Sequence, residues 1–198
     1  MHELDDMLTS WKQVKPWRAA RRKELIALRK ARSSEDRRSL EQAILERLFS
    51  MIDVAGSAIL GIYFPIHGEI DVRELARRHV EAGGVAALPV VVEKGAPVEF
   101  WRWAPGEKTK PGLWGIPVPR ERAVVQPNTL VVPLIGFDRS LYRLGYGGGY
   151  YDRTLAAAAP RPRAIGIAHS DAELPTIHPQ AHDIPMSAIV TESYILPR

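Results

Sequence analysis

The chain has 198 residues, 45% hydrophobic and 25% charged, with a formal net charge of +4 and no cysteine. That length suits one domain burying roughly 70% of its extended surface, and the missing cysteines exclude disulfides, thiolate metal sites, iron–sulfur clusters and a cysteine nucleophile. No apolar run approaches the roughly 20 residues that cross a bilayer, and residues 1–15 are too acidic for a secretory signal; a cytoplasmic protein away from membranes is expected.

The charge is concentrated near the start. Residues 1–50 carry 12 basic and 8 acidic side chains, residues 51–198 carry 15 of each, and the stretch 11–38 alone holds 11 basic against 3 acidic. Residues 16–32 are strong helix formers without glycine, and Pro16 suits a helix start. Residues 1–15 then form an extension, and 16–198 a single domain. Ser34 is placed to cap a second helix, whose Leu40, Ile44, Leu45, Leu48, Phe49 and Ile52 repeat every three to four residues and which closes near Gly56. Residues 58–64 form a continuous apolar run, as a strand buried on both faces does. A helix over 71–82, a buried strand over 85–92, and short exposed strands or loops over 97–103 and 113–119 follow. A third buried strand spans 129–135, a helix 150–159, and two short strands 163–168 and 188–191. Buried strands alternating with helices mean an open, mostly parallel α/β sheet with helices on both faces, three-layered and Rossmann-like. In such sheets ligands bind beyond the carboxyl ends of the strands. Residues 93–128 could form an inserted flap.

The sharpest motif is Pro133-Leu134-Ile135-Gly136-Phe137-Asp138 followed by Arg143-Leu144-Gly145-Tyr146-Gly147-Gly148-Gly149-Tyr150-Tyr151-Asp152-Arg153. Four glycines in five residues, opening onto a helix, leave backbone amides free to cradle phosphates. Arg143 adds a forked cation and Asp152 a carboxylate suited to magnesium. No Gly-Lys-Ser/Thr follows, so this is not a Walker loop, and Tyr150 stands where a dinucleotide fingerprint needs its third glycine. By itself such a cluster reads equally well as a flexible surface loop. His169, His178 and His182 have spacings that suit no common zinc pattern and read as loop histidines.

This signature closely resembles that of the 5-formyltetrahydrofolate cyclo-ligase (5,10-methenyltetrahydrofolate synthetase) family. Supporting stretches are the basic helix, Tyr63-Phe64-Pro65…Glu69-Ile70, Gly112-Leu113-Trp114-Gly115-Ile116-Pro117 and His182-Asp183. The resemblance implies a NagB/RpiA/CoA transferase-like fold and an enzyme that converts 5-formyltetrahydrofolate to 5,10-methenyltetrahydrofolate, splitting ATP to ADP and phosphate with Mg2+. It implies a monomer acting on small molecules, with neither nucleic acid nor membrane as partner. ATP would be bound by Arg18, Arg22, Arg143, Leu144, Gly145, Tyr146, Gly147, Gly148, Gly149, Tyr150 and Tyr151. The folate would be bound by Phe64, Glu69, Trp114 and the stretch Tyr146, Gly147, Gly148, Gly149 and Tyr150. Asp152 and Asp183 would hold the metal, and Arg143 is the expected catalytic residue.

On a helical wheel Arg18, Arg22 and Arg29 lie within about 40° of one another, a stripe able to face a triphosphate, although Arg29 and Arg32 read as a solvated basic face. Without the resemblance, Glu69 reads as a helix-entry residue and Asp183 as a turn residue. Trp101 and Trp103 read as core or flap packing, or as a pterin pocket. The chain departs from the family at Arg73 (often threonine), Val118 (often acidic), and Tyr146 and Gly148 (Arg and Lys in some members). A second reading is a folate- or nucleotide-binding protein without turnover. A third is RNA binding through residues 11–38, which would weaken steeply with salt and ignore ATP.

Overall fold

The computed structural model describes residues 10–52 and 59–198. Two helices open the chain, α1 (Trp11–Ala31) and α2 (Ser34–Met51). Helix α1 begins five residues before Pro16, which therefore lies inside the helix. The stronger start is upstream, where Gln13 Oε1 accepts the Ser10 N–H at 3.3 Å; the missing Pro16 N–H costs only one bond, to a carbonyl on the exposed first turn. Ser33, not Ser34, caps α2: its hydroxyl accepts the Asp36 N–H at 3.0 Å, because that spacing places the oxygen over the third helical amide. The helix ends at Met51, with the Ile52 N–H donating to Leu48 O, short of the expected end near Gly56, which lies outside the described residues.

The central sheet has eight strands in the order β12-β11-β10-β7-β1-β2-β3-β6. They are β1 (Ile59–Gly61), β2 (Val85–Val90), β3 (Glu99–Arg102), β6 (Val124–Val125), β7 (Thr129–Pro133), β10 (Arg163–Ile167), β11 (Ala188–Val190) and β12 (Ile195–Pro197). β1, β2, β7, β10 and β11 run parallel, while β3, β6 and β12 join the edges antiparallel. The open α/β architecture read from the sequence is present. Edge strands β6 and β12 went unanticipated, being two and three residues long, too short for a periodic signal.

Alternation explains why the strands read as unbroken apolar runs. On β7, Val131 packs with α2 and with α3 (Arg73–Glu81) through Ile44, Leu48 and Leu75. Its neighbours Leu130 and Val132 pack oppositely with Leu25 of α1 and Leu155 of α4 (Tyr150–Ala157). Successive strand side chains point to opposite faces, so a sheet covered twice needs apolar residues at every position.

Within the 93–128 region, β3 and β6 extend the edge of the sheet. Only the hairpin of β4 (Thr109–Pro111) and β5 (Pro117–Pro119), with the 3-10 turn Leu113–Gly115 between them, forms a sheet of its own. Trp101 and Trp103 are 7% and 4% exposed and pack into the core. Among the described residues no helix is long and apolar enough to cross a membrane.

Candidate active site

Helix α1 lies across the segments that follow β1, β7 and β10. Arg18, Arg22, Leu25, Arg29 and Arg32 recur at intervals of four and three, which keeps them on one face. That face is turned inward. Arg18 donates from Nε to the Ile177 carbonyl at 2.9 Å and from Nη2 to His178 O at 2.9 Å and Asp183 Oδ2 at 2.6 Å. Arg22 Nε donates to the Gly145 carbonyl at 2.6 Å. Arg29 donates to His67 O at 3.1 Å, Leu134 O at 3.4 Å and the Tyr146 hydroxyl at 2.8 Å. Arg32 Nη2 reaches both Asp171 oxygens, at 2.7 and 2.6 Å. The solvated face expected of Arg29 and Arg32 is therefore corrected: strand ends present carbonyls and carboxylates that attract guanidinium groups, and Arg29 is only 7% exposed. A phosphate-tracking nucleic-acid surface would need this stripe turned to solvent.

The glycine-rich loop leaves the hairpin of β8 (Gly136–Phe137) and β9 (Arg143–Leu144). Asp138 fixes the hairpin turn. Its Oδ1 accepts the Ser140 and Tyr142 amides at 3.0 and 3.2 Å, and its Oδ2 the Ile177 amide at 3.0 Å. Gly147 has φ 92° and Gly149, the N-cap of α4, φ 64°, a region costly to side-chain-bearing residues. A Cβ on Gly147 would stand 3.3 Å from Arg22 Cζ, so the glycine also lets that arginine lie on the loop. Among the described residues the amides of Gly147, Gly148 and Gly149 donate to no protein acceptor, and the first amides of α4 are unpaired as in any helix. The result is a concave bed of donors at a positive helix end.

Arg143 is 8% exposed, donates from Nη1 to Ile184 O at 2.7 Å and holds Nη2 2.6 Å from Asp152 Oδ1. The Ile184 amide donates to that same oxygen at 3.0 Å. Asp183 is neighbour to Ile184 in the chain, and its Oδ2 also accepts the Gln180 amide at 2.7 Å. The two aspartates therefore meet around residues 183–184. Among the described residues Asp152 Oδ2 and Asp183 Oδ1 accept no hydrogen bond, leaving each one hard oxygen for a cation. Burial pushes Asp183 toward protonation, but the hydrogen bonds from Arg18 and the Gln180 amide prevail and hold it below the usual carboxylate range. No cluster of three or more metal-type side chains occurs among the described residues, which magnesium, keeping waters and phosphate oxygens, does not require.

Glu69 faces the loop from the segment after β1, its side chain only 3% exposed. Oε2 accepts the Ile66 amide at 2.9 Å and Oε1 the Tyr146 hydroxyl at 2.9 Å, with Arg29 Nη2 4.0 Å away. Burial raises its pKa, opposed by the Ile66 amide, Arg29 and Tyr146. A carboxylate held this way can accept a paired donor edge. A cavity of about 20 Å³ beside it is lined by Arg29, Arg32, Tyr63 and His169, room for one or two waters.

Of the remaining expected residues, Trp114 is 65% exposed, has φ 58° and ψ 21°, and meets Tyr150 edge-on at 5.8 Å between centroids. Phe64 lies under Arg73, whose Cζ is 5.2 Å from the ring, and Arg73 pairs with Asp71. Leu144 is fully buried, so its side chain serves the core and only its backbone borders the loop. Val118 is buried with Val90 and Trp101. Arg29 and Asp138 organise the site, though the sequence analysis assigned neither of them a binding or catalytic role. The four-three spacing of the arginine stripe was the available signal for Arg29.

The sequence model of the 5-formyltetrahydrofolate cyclo-ligase family matches residues 14–192. The 5-formyltetrahydrofolate cyclo-ligase of Mycolicibacterium smegmatis is 28% identical over 176 residues, covering 79% of this chain and 88% of that protein. The Escherichia coli K12 protein of the same name is 28% identical over 174 residues, covering 84% and 96%. The NMR structure of Aquifex aeolicus 5,10-methenyltetrahydrofolate synthetase is similar with a TM-score of 0.78 at 29% identity, covering 91% of this chain and 92% of that one. The Mycoplasma pneumoniae 5,10-methenyltetrahydrofolate synthetase structure, 23% identical, shares the fold with a TM-score of 0.73, covering 88% and 98%.

Proposed function

Because this chain belongs to the 5-formyltetrahydrofolate cyclo-ligase family, we propose that it closes 5-formyltetrahydrofolate to 5,10-methenyltetrahydrofolate using ATP. The observation carrying the reading is that a bed of unpaired loop amides, flanked by Arg22 and Arg143, shares Tyr146 with a buried carboxylate, Glu69. One side suits a triphosphate and the other the aminopyrimidine edge of a pterin. The chemistry needs both. N10 must attack the formyl carbon and expel its oxygen, and an amide oxygen is a poor leaving group. Transfer of the γ-phosphoryl group to that oxygen, with loss of ADP, makes it departable as phosphate. N10 then forms its bond to carbon and loses its proton, the C–O bond breaks as phosphate leaves, and the methenyl bridge remains. Phosphoryl transfer is mainly positioning and charge neutralisation.

In this reading Arg143, backed by Ile184 O and Asp152, faces the phosphoryl oxygens, and Arg22 lies across the loop that carries the triphosphate. Arg18 acts through Asp183, which it orients. Asp152 and Asp183 would hold magnesium, which supplies neutralisation of the phosphate charge when bound. Glu69 and Phe64 orient the pterin, and Trp114 with Tyr150 offers aromatic surface beside the loop. Incubation with 5-formyltetrahydrofolate and Mg-ATP, followed by near-ultraviolet absorbance of the methenyl product, tests the reading. Product that requires both ATP and magnesium is expected. Ligand binding without product under those conditions would refute turnover.

A further inference from the structure

We propose that Arg29 is a positioning residue for this reaction, holding Glu69 in place for the pterin edge and tying it to the nucleotide loop through the Tyr146 hydroxyl. The inference rests on the assignment of Glu69 to the folate. It starts from an arginine buried in the wrong place for a surface helix. Arg29 is 7% exposed, and a guanidinium that deep needs a compensating charge. Two backbone carbonyls, His67 O and Leu134 O, fix it from behind at 3.1 and 3.4 Å. Its Nη2 is left to point at Tyr146 Oη, 2.8 Å away, which in turn donates to Glu69 Oε1 at 2.9 Å. Such a chain of donors polarises along its length, each bond strengthening the next.

Among the described residues, four groups face Glu69 electrostatically: Arg29 from α1, Tyr146 from the loop, Tyr63 from the segment after β1 and Tyr151 from α4, with the His67 ring 5.8 Å from that of Tyr146 and His169 across the small cavity. Arg29 is the cation among them. Tyr63 is committed elsewhere, donating to Ile70 O at 2.6 Å, and burial keeps all three tyrosines protonated, their pKa values pushed upward. Burial also disfavours the Glu69 anion, and Arg29 opposes it. Without that cation the carboxyl group takes up a proton at higher pH. It then offers one acceptor and one donor where a pterin edge presents two donors.

The test compares kcat and KM for both substrates between about pH 5 and 8 in the full chain, for wild type, Arg29→Met, Arg29→Lys, Glu69→Gln and the Arg29→Met/Glu69→Gln pair. Arg29→Met should raise KM for 5-formyltetrahydrofolate by about tenfold or more, leave KM for ATP within about twofold, and move the acid limb of kcat/KM upward by about one pH unit. Arg29→Lys should recover part of the loss. In the Glu69→Gln background Arg29→Met should add little, since its partner is gone. Equal rises in both KM values with an unmoved acid limb, or additive losses in the pair, would overturn the proposal. If Arg29→Met does not fold, Tyr146→Phe decides. It cuts the relay while keeping the arginine, and it must raise the folate KM and move the limb in the same direction. A wild type that turns over nothing would instead sink the assignment of the reaction.

Discussion

Asp152 is where charge and geometry are easiest to separate. Its Oδ1 is shared between Arg143 and the Ile184 amide, while Oδ2 is open to a cation. Asparagine preserves shape and can still accept the Ile184 amide, but it neither balances Arg143 nor binds magnesium well. Asp152→Asn should therefore lower kcat by roughly a hundredfold or more. The dissociation constant for 5-formyltetrahydrofolate, which the proposed function seats against Glu69 rather than Asp152, should change by less than about threefold. Equal losses in turnover and folate binding would mark the aspartate as structural. Glycine carries the complementary residue-scale lesson. Gly147 and Gly149 are written into the sequence because their φ values are open to few other residues, and an amide bed without side chains needs that freedom.

At the scale of elements, α1 is the part whose role changes most between sequence and structure. A helix with this much positive charge looks solvated, yet its arginine stripe closes the carboxyl side of the sheet. Arg18 is the test case. It and Asp183 have side chains 6% and 10% exposed, and losing the arginine leaves a buried carboxylate without its cation and the Ile177 carbonyl without its guanidinium donor. Arg18→Ala should cost about 3–5 kcal/mol in urea unfolding. The pH dependence has a defined sign. Asp183 is held below its ordinary value of 3.8 when folded, so its pairing stabilises the fold above that pH and is lost as pH falls through the folded value. The urea midpoint of the wild type should fall below about pH 4, and Arg18→Ala should flatten that part of the curve. A variant with the wild-type acid slope would show that Arg18 is not the group holding Asp183.

The whole molecule is stabilised by two apolar layers, one on each face of the sheet. Leu60 on β1 is fully buried in the layer shared with α2 and α3. Leu60→Ala should cost about 2–5 kcal/mol, lowering Tm by about 2–4 °C for each kcal/mol in calorimetry. A smaller shift would mean that the layer collapses around the gap. The amino-acid sequence alone determined the layered α/β class, the buried strands β1, β2 and β7, and the glycine-rich loop before α4. Those features are local, written in apolar runs, glycine spacing and caps within a few residues of where they act. It read Arg29 and Arg32 as solvated, placed both ends of β12 and β6 nowhere, and set the Ser33 cap one residue late. Tertiary structure decided these because each depends on a partner far along the chain. Arg29 finds Tyr146, Arg18 finds Asp183, and an edge strand exists only beside its neighbour. A guanidinium on a helix wheel has two possible environments, and only the approach of strand-end carbonyls and a buried carboxylate selects the inner one.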